Sequence, residues 1–386
     1  MNRQDFSTLS PDCKLTINCC QSEVDTAAVE TALSSFSDEN YQNILRLSQQ
    51  HGIYPLLYKT IRSVNPASLS LKTDELFKQN NMTIAQQNML MSAELLQLMQ
   101  LFNVNSVDAM AFKGPVLGEL AYGSVALRQY GDLDILIKKN DIEKTLSLLL
   151  QRGYTPEIEL EKSTLKTFYS CVNVIGLQRG SVRVEIHWEL LSKNYAIEWE
   201  EEKLWRESES VEINRKPVRT LSFENHILYL CAHGSKHLFE RLEWICDIER
   251  AIRAQESIDW EHLLLEAQSL GIERMLLFGV HLSQLFFGLP LPQKILDKID
   301  NDPEIEHLTE KVVTLHYSEK KGSRSYSTFW LLWQMREKLK DRLRFAYRGL
   351  FAPKFDDFKF IQLSKQLSFL YPLIRPYRLV TKYFRN

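Results

Sequence analysis

The sequence predicts an α/β fold, with a mixed-sheet core over about residues 105–190 and helical regions on both sides. Three observations carry that expectation. Apolar positions recur at helical spacing before residue 104 and again after residue 220. Between them, Leu133, Ile135 and Ile137 alternate with Asp132, Asp134 and Leu136, which is the period of a strand. The segment 168–190 then reads as two strands joined at Arg179-Gly180-Ser181.

Residues 1–104 form the helical N-terminal region. Helical spacing shows at 29–36, at 41–50 and in the long run 83–102, and Ser37 and Asp38 are placed to cap between the first two. A short apolar strand at 107–112 ends in Lys113-Gly114-Pro115, and a short helix follows at 116–123. After the aspartate-bearing strand, Asn140 or Asp141 caps a helix that Gly153 stops. The α/β core is assigned to 105–215. Ser222 opens a helix over 222–239, and 258–292 reads as two helices broken at Gly271 and stopped by Pro290. These define a helical C-terminal domain at 216–320, followed by a basic, aromatic-rich helical tail at 321–386.

Composition excludes several classes. With 386 residues, 44% of them hydrophobic and 25% charged, the chain can bury sizeable cores and is not a disordered or low-complexity polymer. Its greasiest stretch, Met275 to Leu291, contains His281, Ser283, Gln284 and two glycines, too short and too polar for a membrane span. The first residues lack the apolar core of a signal peptide, so a cytoplasmic location is expected. Six cysteines without a C-x-x-C pair then read as reduced thiols rather than disulfides or a zinc site.

Chemistry concentrates in the middle of the chain. Two acids at i and i+2 in a strand point the same way, and their repulsion is relieved best by a divalent cation. Oxygen-only ligands select Mg²⁺ or Mn²⁺. Two solvated acids on an edge strand are the alternative. In 182–190, Glu185 and His187 share one face while Val184, Ile186 and Trp188 take the other. If that strand neighbours the Asp132 strand, Glu185 completes a three-carboxylate cluster suited to phosphoryl chemistry. His187 reads equally as a core imidazole bonded to a carboxylate. Lys113-Gly114-Pro115, at the start of a helix, can bind phosphate, although the Walker spacing is absent. His233 and His237 lie one helical turn apart. That spacing can bind zinc, but the H-E-x-x-H glutamate is missing, and lining a cleft beside Lys236 or an ordinary helix surface are the other readings.

The order of these pieces is specific. The stretch 112–154 resembles a bacterial family of uncharacterised nucleotidyltransferases. Its members carry a Lys-Gly turn, an arginine (here Arg128) shortly before Gly-Asp-Leu-Asp, and a helix ending in Gly-Tyr. The acid-x-His-Trp strand at Glu185, His187 and Trp188, the His233–His237 stretch, Trp244, Asp247 and Asp259-Trp260 extend the resemblance. It departs from the wider superfamily at Lys113-Gly114, commonly Gly-Ser or Gly-Gly, and at Glu185, commonly Asp. The resemblance implies a nucleotidyltransferase-like core in which Asp132 and Asp134 bind Mg²⁺ (or Mn²⁺) and Glu185 is the third metal ligand. Glu185 or His187 would help to deprotonate an acceptor. Lys113, the Gly114 backbone and Arg128 would contact phosphates, a surface ion pair being the other reading of Arg128; on the reading of the residues themselves, His233, Lys236 and His237 line the nucleotide or acceptor cleft. The implied reaction moves a nucleoside monophosphate from a nucleoside triphosphate such as ATP to an unidentified hydroxyl or phosphate. A non-catalytic nucleotide-binding protein on the same fold, or a toxin-like enzyme acting on RNA or protein, are the competing functions.

Charge is distributed unevenly. Residues 320–386 hold 16 Lys and Arg against 4 Asp and Glu, whereas the rest hold 31 against 45. Aromatics interleave the bases: Phe329, Trp330, Trp333, Phe345, Tyr347, Phe351 and Phe355. Three partners compete for such a tail: the acidic body of its own chain, an anionic acceptor including RNA, and an anionic membrane surface touched without insertion. Docking on the body is the favoured expectation.

Overall fold

A computed structural model describes residues 9–318 and 328–384. The first eight residues and the expected start of the tail at 321 lie outside the described residues. Five helices open the structure: α1 (Pro11–Cys19), α2 (Thr26–Leu33), α3 (Asp38–Gln50), α4 (Tyr54–Val64) and α5 (Leu71–Val104). Ser37 caps α3 in a reciprocal box with Asn40, as its position predicts. The 34 residues of α5 join two cores. Phe77 packs with the other N-terminal helices, while Met91, Leu95, Leu98 and Phe102 pack under the sheet.

The α/β core runs β1 (Ala109–Ala111), α6 (Pro115–Tyr122), β2 (Leu133–Ile137), α7 (Ile142–Gln151), β3 (Thr155–Pro156), α8 (Lys162–Cys171), β4 (Val174–Arg179) and β5 (Val182–His187). The sheet order is β1-β2-β5-β4-β3. Only β2 and β5 pair in parallel, and their register sets Asp134 opposite Glu185 and Leu136 opposite His187. The sheet is therefore mixed, and the aspartate strand is a direct neighbour of the Glu185 strand. Asp141 precedes α7 without a side-chain cap, because a 3-10 turn over Lys139–Asp141 leads into the helix instead.

A two-stranded hairpin, absent from the sequence reading, follows α9 (Glu201–Arg206). It pairs β6 (Glu209–Ile213) with β7 (Lys216–Thr220). Asn214 and Arg215 at its turn both have positive φ, the two-residue geometry that suits tight hairpins. The expected boundary at 215/216 falls inside this turn and would divide two paired strands. The helical C-terminal part begins instead with α10 (Phe223–Lys236), capped by Ser222. It continues through α11 (Leu242–Arg253), α12 (Trp260–Leu270), α13 (Glu273–Phe287), α14 (Gln293–Asp300) and α15 (Pro303–His316). Left-handed Gly288, two residues ahead of Pro290, ends α13. No helix among the described residues is long and apolar enough to cross a membrane.

The tail forms α16 (Thr328–Gln334), α17 (Leu339–Phe351), α18 (Phe355–Phe360) and α19 (Tyr371–Phe384). One side of it docks on the body. Arg344 and Arg348 pair with Glu198, Phe345 is buried, and the guanidinium of Arg336 reaches the carbonyls of Gly271 and Tyr195.

Candidate active site

The site forms where β1 ends beside the start of β2. Gly114 has φ 52° and ψ −126°, a backbone region open to glycine and costly for other residues. A Cβ there would lie 3.3 Å from the carbonyl oxygen of Asp132. The bend thus brings Lys113 over the aspartate strand, and Pro115 starts α6 at once.

Asp134 is the strut of the cluster and is buried. Its Oδ1 accepts from Lys113 Nζ at 3.1 Å and lies 3.1 Å from His187 Nε2. Its Oδ2 is buried with no partner in the protein. His187 Nε2 also stands 3.5 Å from Glu185 Oε2, and Glu185 Oε1 accepts from Arg183 at 2.9 Å. One ligating atom from each of Asp134, Glu185 and His187 lies within 4.8 Å of the others. Asp132 stands one residue before β2 and lines the same cleft, of about 560 Å³, with Lys113, Arg128, Glu185, His233, Lys236 and His237.

The charges are strongly interdependent. Burial pushes the Asp132 carboxyl up to about 6, helped by the negative charge of Asp134. Burial also works against the Asp134 carboxylate, but Lys113 and His187 overcome it and hold the group well below the usual range. Burial likewise opposes ionisation of Glu185, yet the His187 bond brings it down to about 2. His187 loses solvation on burial, but its bonds to Asp134 and Glu185 raise it and favour the imidazolium. His187 Nε2 thus stands between two carboxylates, while its Nδ1 is buried with no partner in the protein. Lys236 falls to about 8 through burial and the nearby Lys113 charge.

The structure brings the predicted residues to one cleft with different duties. His233 on α10 and His237, the residue that ends it, lie with ring centroids 5.0 Å apart and tilted to each other, and both lie against Trp244. The only carboxylate–imidazole cluster found among the described residues that could hold a metal is at Asp134, and it leaves these two histidines out. Lys236 Nζ sits 5.4 Å over the Tyr195 ring. Arg128 takes the ion-pair alternative, buried rather than on the surface. It is buried, and its Nε and Nη2 both donate to Asp247 at 2.9 Å. Tyr122 donates to the same carboxylate at 2.7 Å. The guanidinium fork expected to meet phosphate is already engaged, so Arg128 ties the loop before β2 to α11.

Sequence reasoning missed Tyr229, whose ring lies 5.4 Å from Lys113 Nζ, and Arg183, which braces Glu185. Both had signals. Tyr229 is one turn before His233, and Arg183 shares the strand face of Glu185 and His187. Buried Glu243, raised to about 7 by burial, also lines the cleft and had no such signal.

The family described as uncharacterised nucleotidyltransferase matches residues 37–288, about two thirds of the chain and the whole of the cleft. The chain belongs to this family. It is a transferase, and its general reaction is nucleotidyl transfer. No curated protein matches this nucleotidyltransferase. Among solved structures, one similar chain is the antibiotic-resistance factor ANT(2'')-Ia, described as having substrate-regulated conformation dynamics. The two share 13% identity with a TM-score of 0.32, over 55% of this chain and 97% of the other.

Proposed function

We propose that this nucleotidyltransferase moves a nucleoside monophosphate from a nucleoside triphosphate to an acceptor hydroxyl or phosphate with the help of Mg²⁺ or Mn²⁺. The single observation behind this reading is the β2–β5 register, which sets Glu185 opposite Asp134 beside the Lys113–Gly114 bend.

The residues fit a hard cation. Asp134 Oδ2 is a buried acceptor without a donor, a costly arrangement in a protein interior, and oxygen-only ligands suit such ions. Asp134 and Glu185 would hold the metal, with Asp132, which lines the same cleft but lies outside the close Asp134–Glu185–His187 group, as the third carboxylate. When bound, it would supply charge neutralisation on the phosphates and lower the pKa of the acceptor hydroxyl.

The chain's own residues do the rest. Lys113 and Lys236 place positive charge in the cleft, where the triphosphate carries its negative charge. Gly114 lets the backbone approach closely, and the His233–His237–Trp244 wall borders the cleft. The acceptor oxygen attacks the α-phosphorus, the bond to the bridging oxygen breaks, and pyrophosphate leaves. A carboxylate takes the acceptor proton. His187, with its Nε2 3.1 Å from Asp134 and 3.5 Å from Glu185, orients those two carboxylates.

The test is incubation with each α-labelled triphosphate, Mg²⁺ and cell extract, following the label. Asp132→Asn should abolish transfer and leave the fold intact, since Asp132 has none of the strut contacts of Asp134. Full transfer in both Asp132→Asn and Glu185→Gln would refute the assignment.

A further inference from the structure

The tail docks through one face and leaves the opposite face uncovered. On α17 the outward positions are Leu339, Leu343, Tyr347 and Leu350, which are 65%, 57%, 67% and 44% exposed. Their spacing of four, four and three residues draws a single stripe along one side of a helix. Phe345 is buried on the other side. The polarity of a surface helix is therefore reversed, with apolar residues facing outward. The same pattern recurs on α19, which packs against α17: Leu373, Tyr377 and Val380 are 63%, 62% and 53% exposed, while Tyr371 and Arg375 are buried. Phe369 adds a ring that is 70% exposed. A soluble monomer rarely leaves stripes of this length uncovered.

Charge identifies the occupant. Residues 328–384 hold 12 Lys and Arg against 4 Asp and Glu. Three of the four acids have partners within the protein. Glu337 accepts from the backbone of Arg274. Asp357 is buried with Arg375 and Arg378, and Asp356 pairs with Arg378. Lys338, Lys340 and Lys359 remain exposed around the stripes. A second copy meeting this face symmetrically would bring positive charge onto positive charge. A surface with apolar depth and negative headgroups complements both features.

We propose that α17 and α19 seat the protein on an anionic membrane surface, with the apolar stripes in the interface and the lysines at headgroup level. The contact is peripheral and does not depend on the reaction assigned to the cleft, so its test needs no turnover.

The experiment is flotation of the full chain with two kinds of vesicle: phosphatidylcholine alone, and phosphatidylcholine with phosphatidylglycerol. Binding is expected to the second kind and not the first, and to weaken as salt rises. Leu343→Glu with Tyr347→Glu, at exposed positions, should cut partitioning by ~10-fold or more. Lys338→Glu and Lys340→Glu should each cost at least about fivefold. Leu265→Glu, at an exposed apolar position on α12, should leave partitioning unchanged. Failure to float with either vesicle, unaltered binding in the double variant, or equal loss in Leu265→Glu would overturn the proposal. So would a concentration-dependent dimer that the double variant dissolves, since the occupant would then be a second copy.

Discussion

Replacing Asp247 by Asn tests what Arg128 is for. Asp247 is fully buried and Arg128 is 6% exposed, so neither charge has solvent to fall back on. Burial weakens the charged form of Arg128, and Asp247 more than restores it. The Asn side chain keeps one acceptor for Tyr122 and Arg128 Nε but turns an amide N–H₂ toward Arg128 Nη2. Removing one partner of a buried ion pair costs about 3–5 kcal/mol, because the other charge stays buried and unpaired. Native stabilities are about 5–15 kcal/mol, so this is a large share of the total. With a denaturant slope of about 3 kcal/mol/M, the urea midpoint should fall by about 1–1.7 M. Circular dichroism against urea reads the shift. The double variant Arg128→Met, Asp247→Leu removes both charges and should recover most of it. Under conditions where each variant is folded, the double variant should keep measurable nucleotidyl transfer. A loss under 1 kcal/mol in Asp247→Asn, with transfer abolished in Arg128→Met, would refute the structural role and return Arg128 to the phosphates.

Two further expectations follow from the same geometry. Gly114→Ala forces a side chain into a glycine-only backbone region and 3.3 Å from the Asp132 carbonyl. It should cost about 1–3 kcal/mol in a thermal melt and depress transfer, and an unchanged melting temperature with full transfer would contradict it. His226 is buried with its Nε2 3.0 Å from the Phe112 carbonyl, and burial brings its pKa down to about 4. Because the folded value lies below the unfolded one near 6.5, the unfolded chain takes up the proton first as pH falls. Stability from this group is complete above about 6.5 and is lost on acidification toward about 4, by up to about 3 kcal/mol. Urea midpoints at pH 7.5 and 5 should diverge, and His226→Gln should narrow the gap.

Much of the cleft was legible because it is written in short-range patterns. The alternation around Asp132 and Asp134 and the shared face of Glu185 and His187 follow from the two-residue period of a strand, and the Ser37 and Ser222 caps from local hydrogen bonding. The β6–β7 hairpin escaped because its strands are only five residues long and each buries just two side chains, Val211 and Ile213 on one and Val218 and Thr220 on the other, too short an alternation to read.

What the sequence by itself determined is local: which residues face the same way, where helices start, and where a glycine must bend the chain. Tertiary structure alone decided which local faces meet. The parallel pairing of β2 with β5 joins acids 51 positions apart, and Arg128 finds Asp247 across 119 positions. Those choices depend on which arrangement buries the most apolar surface while leaving no charge without a partner, a property of the whole packed chain that no window of residues contains.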